Sequence, residues 1–218
     1  MFNRFKTPHN KMTNPDSPKC LLFSHAHERL EDPLIFKAFA AVLGQAIELM
    51  PQMQWIIRLH PGEDDSFYQE LGLVGHPRVQ IQPRRISLEE AVAEADVTCT
   101  IRSTAGLQAM MMQRPLLIID LVTNAECSVW WPLHGGGLAA KTPQDFKMHC
   151  SRLVEDPTFR ASVLNLQREF LDRTFANKGR AAAGVVDYLA EKTPSNPTAP
   201  LSAQGKFGKK FQPEEIRL

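Results

Sequence analysis

The stretch TCTIRSTAGLQAMMMQRPLLIID, residues 98–120, limits what this chain can fold into more than any other part of it. Its start completes an apolar run, Val97-Thr98-Cys99-Thr100-Ile101, that reads as a buried strand. The chain then turns through Arg102-Ser103-Thr104-Ala105-Gly106 and enters a helical segment over 107–113. Pro115 stops that helix, and a second apolar run over 116–119 ends at Asp120. Strand, small hydroxylated turn, helix, strand is the unit from which parallel sheets are built. In an open parallel sheet such a turn lies at the carboxyl ends of the strands, where ligands bind. Ser103 or Thr104 is placed to cap the helix, and the N–H groups of its first turn favour an anion, most often phosphate.

The rest of the chain repeats this alternation. Residues 20–23 (CLLF) form a short apolar strand followed by the polar turn Ser24-His25-Ala26-His27-Glu28. Asp32-Pro33 opens a helix whose apolar residues, among them Leu34, Ala38, Val42 and Leu49, recur at helical spacing up to Pro51. Residues 55–59 form a second strand, ended by His60-Pro61-Gly62-Glu63-Asp64; a short helix at 66–71 and a brief strand at 79–81 follow. Ser87-Leu88-Glu89-Glu90 has the letters of a capping box opening a helix to residue 95. After Asp120, residues 124–134 are irregular, Gly135-Gly136-Gly137 precedes a small strand at 138–140, and helices are expected at 143–153, 157–175 and 179–189. Strands alternating with helices predict an α/β, Rossmann-like domain with a mainly parallel sheet flanked by helices. The expected division is a flexible N-terminal segment over 1–18, one domain over 19–192, and a Pro- and Ser-rich disordered tail over 193–218.

Composition narrows the function classes. A formal net charge of +1 gives no global reason to expect a nucleic-acid partner. The four cysteines, Cys20, Cys99, Cys127 and Cys150, form no C-x-x-C pair and are expected as buried free thiols, which fits a reducing, cytoplasmic compartment. No apolar run reaches the roughly 18 residues of a membrane span. Lys206, Lys209 and Lys210 around Phe207 can touch anionic lipid peripherally or an acidic partner, though such clusters are usually solvated.

Three turns that follow strands should gather on one sheet edge: 24–28, 60–64 and 102–106. Pro61-Gly62 turns the chain sharply behind His60, which fixes that imidazole where it can donate to a phosphate oxygen. His25, first after the opening strand, can approach the same ligand. Arg58 and Arg102 flank this edge, although strand alternation can point Arg58 away. The plain structural alternative is that His60 ends a strand and Ser103 and Thr104 cap a helix with no ligand at all. A metal site built from His25, His27, Asp120, Glu126 and His134 is disfavoured, because no second pair at ligand spacing appears. Met110-Met111-Met112 reads as core filling, and Trp130 and Trp131 as core cover before stacking partners.

RLHPGED, followed after a helix, a strand and a helix by EADVTCTIRSTAGLQAMMMQRPLLIID, resembles the nucleotide-sugar-binding half of GT-B-type glycosyltransferases. Within them it looks most like those of bacterial surface-polysaccharide synthesis: capsule and Kdo transferases, bacterial sialyltransferases with their "HP" and "S/T" motifs, and glycerophosphotransferases; the nonhydrolysing UDP-N-acetylglucosamine 2-epimerases share this half-fold. The resemblance covers about residues 20–192 and includes GGGLAAKTPQDFKMHCSRLVEDPTFRASV. It implies that His60 contacts the phosphate or nucleotide of a CMP-, CDP- or UDP-linked donor. It implies also that Ser103, Thr104 and the amides through Gly106 hold the phosphate, with no cofactor or metal; Arg102 is a candidate charge partner that matches no fixed position of the family. Gln108 departs from the Glu that many relatives carry at this point: an amide can bond a sugar hydroxyl but cannot act as a base, which speaks against an epimerase role. A complete GT-B enzyme reacts its substrates between two such domains, so the resemblance implies a second half in a longer protein or a partner subunit. No catalytic base is assigned in this chain. The alternatives are a non-catalytic Rossmann-like module that docks a protein, and a nucleotide-sugar epimerase-like protein.

Overall fold

A strand can pair in parallel with a neighbour only after the chain has crossed back over the sheet, and helices supply most of those crossings here. In the computed structural model the order is β1 (Lys19–Phe23), α1 (Pro33–Leu49), β2 (Gln54–Arg58), α2 (Ser66–Glu70), β3 (Val79–Ile81), α3 (Leu88–Glu94), β4 (Val97–Thr100), α4 (Ala105–Met111), β5 (Leu116–Ile119), β6 (Leu138–Ala140), α5 (Pro143–Glu155), α6 (Pro157–Thr174) and α7 (Ala181–Lys192). The structure describes residues 12, 14, 16–24, 33–120, 136–175 and 181–192, with the backbone alone at 33–36, 181 and 192. Two compact units are distinguished, 1–178 and 179–218; the sheet and the candidate site belong to the first, and α7 to the second. The expectations for His25, His27, Glu126, Cys127, Trp130, Trp131, His134, most of the N-terminal segment and the 193–218 tail lie outside the described residues.

The strands form one sheet in the order β3-β2-β1-β4-β5-β6, and every pairing is parallel. The chain winds outward from β1 in one direction and then from β4 in the other, so the reversal point lies between β1 and β4, where a crevice opens at the strands' carboxyl ends. Helices on both faces explain why β1, β4 and β5 read as continuous apolar runs, without alternation. Cys20 and Leu22 of β1 face one core, shared with Trp55, Leu43 and Ile47 of α1 and Phe146 of α5. Leu21 and Phe23 face the other, with Ala91 and Val92 of α3 and Ala109 of α4. Met110 is buried beside Phe170 of α6, and Met112 packs under α3, so these methionines fill core. Cys20, Cys99 and Cys150 are free and buried; burial pushes the Cys20 thiol up, and its bond to Cys20 together with burial pushes up that of Cys150.

The opposite, amino-terminal edge of the sheet is closed by buried arginines. Arg160 donates to the carbonyls of Asp96 (2.9 Å) and Leu153 (3.3 Å), and Arg114 to those of Val92 (3.1 Å) and Ala93 (2.7 Å). The Asp96 carboxylate accepts the N–H of Lys19 at 2.9 Å, tying β1 to β4 where both strands begin. These bonds satisfy carbonyls at helix ends and strand starts that the sheet itself cannot reach.

Candidate functional site

The turn after β4 is built by its own hydroxyls. Thr100 Oγ1 accepts the N–H of Ser103 at 2.9 Å, and Ser103 Oγ accepts the N–H of Ala105 at 3.3 Å. These bonds start α4 at Ala105, ahead of the expected residue 107. Thr104 occupies the N-cap position but makes no side-chain cap bond, because its backbone is already helical at φ −63° and ψ −14°. The capping expectation is therefore corrected for Thr104, which leaves its hydroxyl at an exposed position. The N–H of Gly106 donates to the Ser103 carbonyl at 3.0 Å, so the amides expected to reach a ligand do not include this one.

The turn after β2 is held by a buried carboxylate. Glu63 Oε2 accepts the N–H of His60 at 3.0 Å, and the N–H of Glu63 donates back to the His60 carbonyl at 3.0 Å. The N–H of Gly62 donates to His60 Nδ1 at 3.2 Å. That bond assigns the proton of the neutral imidazole to Nε2, the nitrogen then able to donate. Glu63 Oε1 accepts the Ser24 hydroxyl at 2.8 Å, and Ser24 also bonds the Tyr68 hydroxyl. Since Ser24 has given its only proton to Glu63, Tyr68 is the donor in the second bond. Burial pushes the Tyr68 phenol up, which keeps it protonated for that role. Arg84 donates to the Glu63 carbonyl, adding the turn after β3 to the same network.

These turns enclose a cleft of about 280 Å³ at the carboxyl edge of the sheet, over the β1/β4 reversal. Ser103, Thr104 and Gln108 line one side, His60 and Arg58 the other, and Ser24 lies between them. Of the residues singled out from sequence, His60, Ser103, Thr104 and Gln108 thus share one cleft. Arg102, half-buried, and Gly106, buried, lie outside its lining. Arg58, which alternation left open to face either way, lines the cleft: Nη1 donates to Gln82 Oε1 (2.8 Å) and to the Ile86 carbonyl (2.9 Å), which folds the long side chain along the edge. Ser24 and Glu63 carried no distinguishing signal in the sequence. Among the described residues, no group of three His, Cys, Asp or Glu side chains is close enough to hold a metal ion.

Solved structures share this fold. MnaA of S. aureus, solved with UDP, matches at a TM-score of 0.59 and 13% identity, over 89% of this chain and 53% of that one. CalG4, the calicheamicin glycosyltransferase, matches at 0.53 and 22% identity, over 84% and 45%. TarM of S. aureus, in a complex containing fondaparinux, α-GlcNAc-glycerol and UDP, matches at 0.54 and 11% identity, over 85% and 37%. The chain has the fold of a single GT-B half. It spans about half or less of the length of these matched proteins. No protein-family model matches the sequence, and no curated protein does so. At these identities the likeness concerns the fold. In an open parallel α/β sheet the reversal of strand order is the place where a ligand is expected, and the cleft described above lies at the β1/β4 reversal.

Proposed function

We propose that this chain is the donor-binding domain of a GT-B-type glycosyltransferase of surface-polysaccharide or glycoconjugate synthesis, completed by a second domain or subunit. One observation carries this reading: His60 and Ser103, far apart in sequence, line one cleft at the reversal point of the sheet. A phosphate seated there would accept from His60 Nε2–H and from the hydroxyls of Ser103 and Thr104. Donors aimed at the oxygens of a departing phosphate stabilise the charge that grows on it as the glycosidic bond breaks, which is how such a site assists transfer. Gln108 is placed to bond a hydroxyl of the sugar or ribose. Two of the similar structures contain UDP, which favours UDP-linked donors among the CMP, CDP and UDP candidates. Buried free thiols fit a reducing, cytoplasmic setting. No helix among the described residues is long and apolar enough to cross a membrane.

Isothermal calorimetry with CMP, CDP, UDP and GDP tests the proposal. At least one nucleotide should bind, and His60→Ala and Ser103→Ala should each weaken it by about 1.5–3 kcal/mol, the range for a hydrogen bond to a charged group. Absence of any heat at millimolar nucleotide would remove the donor-site reading.

A further inference from the structure

Beyond Pro61 the cleft continues into a recess of about 180 Å³ between the ends of β2 and β3, lined by Arg58, Leu59, Pro61, Gln82 and Arg84. We infer that this recess is a second anion-binding subsite, and that the natural ligand carries an acidic group there in addition to the phosphate held between His60 and Ser103. The inference rests on the phosphate-binding reading of that first end and extends it to the class of ligand.

Charge is the first ground. Two guanidiniums line the recess, and among the described residues no carboxylate lines it or the cleft it opens from. The hydrogen bonds these arginines make among the described residues all go to neutral acceptors. Arg58 Nη1 bonds the Gln82 amide oxygen and the Ile86 carbonyl, and Arg84 bonds the Glu63 carbonyl. Such bonds fix where each guanidinium sits without cancelling its charge. Two like charges at one recess repel, and an anion between them turns that repulsion into attraction. A carboxylate or phosphate can take paired N–H donors from a guanidinium, which an uncharged group does less strongly.

Length is the second. In the order β3-β2-β1-β4, β3 and β4 are three strand spacings apart, about 14 Å at roughly 4.8 Å each. A ligand reaching from Ser103, past β4, to Arg84, past β3, must be longer than a lone phosphate. The two ends are contiguous, sharing Arg58, Leu59 and Pro61, so one molecule can fill both. The class is therefore a nucleotide or nucleotide-sugar with an additional carboxylate or phosphate remote from its 5′-phosphate.

Calorimetry on the full chain with two matched pairs tests this and separates the sources of the acid. UDP-glucose against UDP-glucuronate adds a carboxylate; AMP against adenosine 3′,5′-bisphosphate adds a phosphate. In at least one pair the more acidic member should bind about tenfold tighter or more, the equivalent of one charge-assisted hydrogen bond. Arg84→Gln should erase that preference while both members still bind in a Ser103-dependent way, which also shows that the variant is folded. Arg84→Lys should retain part of the preference, and Ser103→Ala should weaken both members alike. No preference in either pair, or a preference that survives Arg84→Gln, overturns the second subsite while Ser103-dependent binding leaves the donor-site reading standing. If none of the four ligands binds, the second subsite is overturned and the donor-site reading is decided by the CMP, CDP, UDP and GDP titration; if Ser103→Ala and His60→Ala change nothing, the donor-site reading itself fails and the inference falls with it.

Discussion

Glu63 shows how one buried side chain can shape a site without lining it. It is 6% exposed, yet its two oxygens hold the Ser24 hydroxyl and the His60 amide, so the ends of β1 and β2 are set by one carboxylate. Glu63→Ala should orphan both donors and cost about 2–3 kcal/mol in urea unfolding, within the range for unsatisfied buried polar groups. It should also reduce nucleotide binding through displacement of His60, and Glu63→Gln, which keeps one acceptor oxygen, should do less of both. Unchanged stability in Glu63→Ala would show that the network is not taut. Gly137 makes a different demand: a Cβ there would sit 3.1 Å from the Leu116 carbonyl oxygen and 3.1 Å from Ile118 Cγ1. Strand backbone cannot yield cheaply, so Gly137→Ala should lower stability by about 1–3 kcal/mol, as overpacking does, again read by urea unfolding. His60 was legible because Pro61-Gly62 marks a sharp turn directly after an apolar run. Ser24, Glu63 and Tyr68 were not, since their bonds span 39 and 44 residues of chain and no local pattern announces such pairings. The orientation of Arg58 could not be read from alternation, which fixes where Cβ points, while a flexible side chain can still curl back to a partner such as Gln82.

At the scale of elements, helix starts were the most readable feature. The Ser87 and Glu90 letters form the box they suggested: Ser87 Oγ accepts from Glu90 N–H at 3.1 Å, and Glu90 accepts from Ser87 N–H at 2.8 Å. Thr142 and Asp145 form the same reciprocal pair at the start of α5, where Pro143 occupies the first turn. The start of α4 was displaced because Ser103 and Thr100 bond within the turn, a geometry that letters alone do not distinguish from a cap. Both boxes carry a pH signature. The backbone and hydroxyl of Ser87 hold the Glu90 carboxyl below its ordinary 4.5, and Thr142 holds that of Asp145 below 3.8. A carboxylate whose folded pKa is depressed adds stability that is complete above its unfolded pKa and lost as pH falls through the folded one. The wild type should therefore melt above a Glu90→Gln, Asp145→Asn double variant at neutral pH, with the gap closing as pH falls below the ordinary carboxylate range. A gap that stays constant down to low pH would show that these carboxylates act through shape and not through charge.

Taken whole, the sheet separates two tasks by edge. At the amino-terminal edge, Arg114, Arg160 and Asp96 close the core with bonds to backbone. Burial, reinforced by the neighbouring Arg160 charge, draws the Arg114 guanidinium down to about 10, so it remains charged at neutral pH. At the carboxyl edge, the turns after β1, β2, β3 and β4 are held by polar side chains around open space. The parallel class of the sheet was legible from strand–helix alternation, but its order was not, since every crossover looks alike in sequence and only packing decides on which side each strand lands. The reversal between β1 and β4 makes a strong prediction about where binding energy should be felt. A ligand that binds only the folded state stabilises it by about 2.7 kcal/mol at a hundredfold excess over Kd, and the local gain falls on segments whose opening breaks the site. Amide hydrogen exchange with saturating nucleotide should then slow in residues 58–63, 82–88 and 101–106. Residues 92–96 and 153–160, on the far edge, should exchange at their unliganded rate except where global unfolding governs it. Protection centred on the arginine edge would place the ligand at the wrong end of the strands, and with it the whole assignment of the cleft.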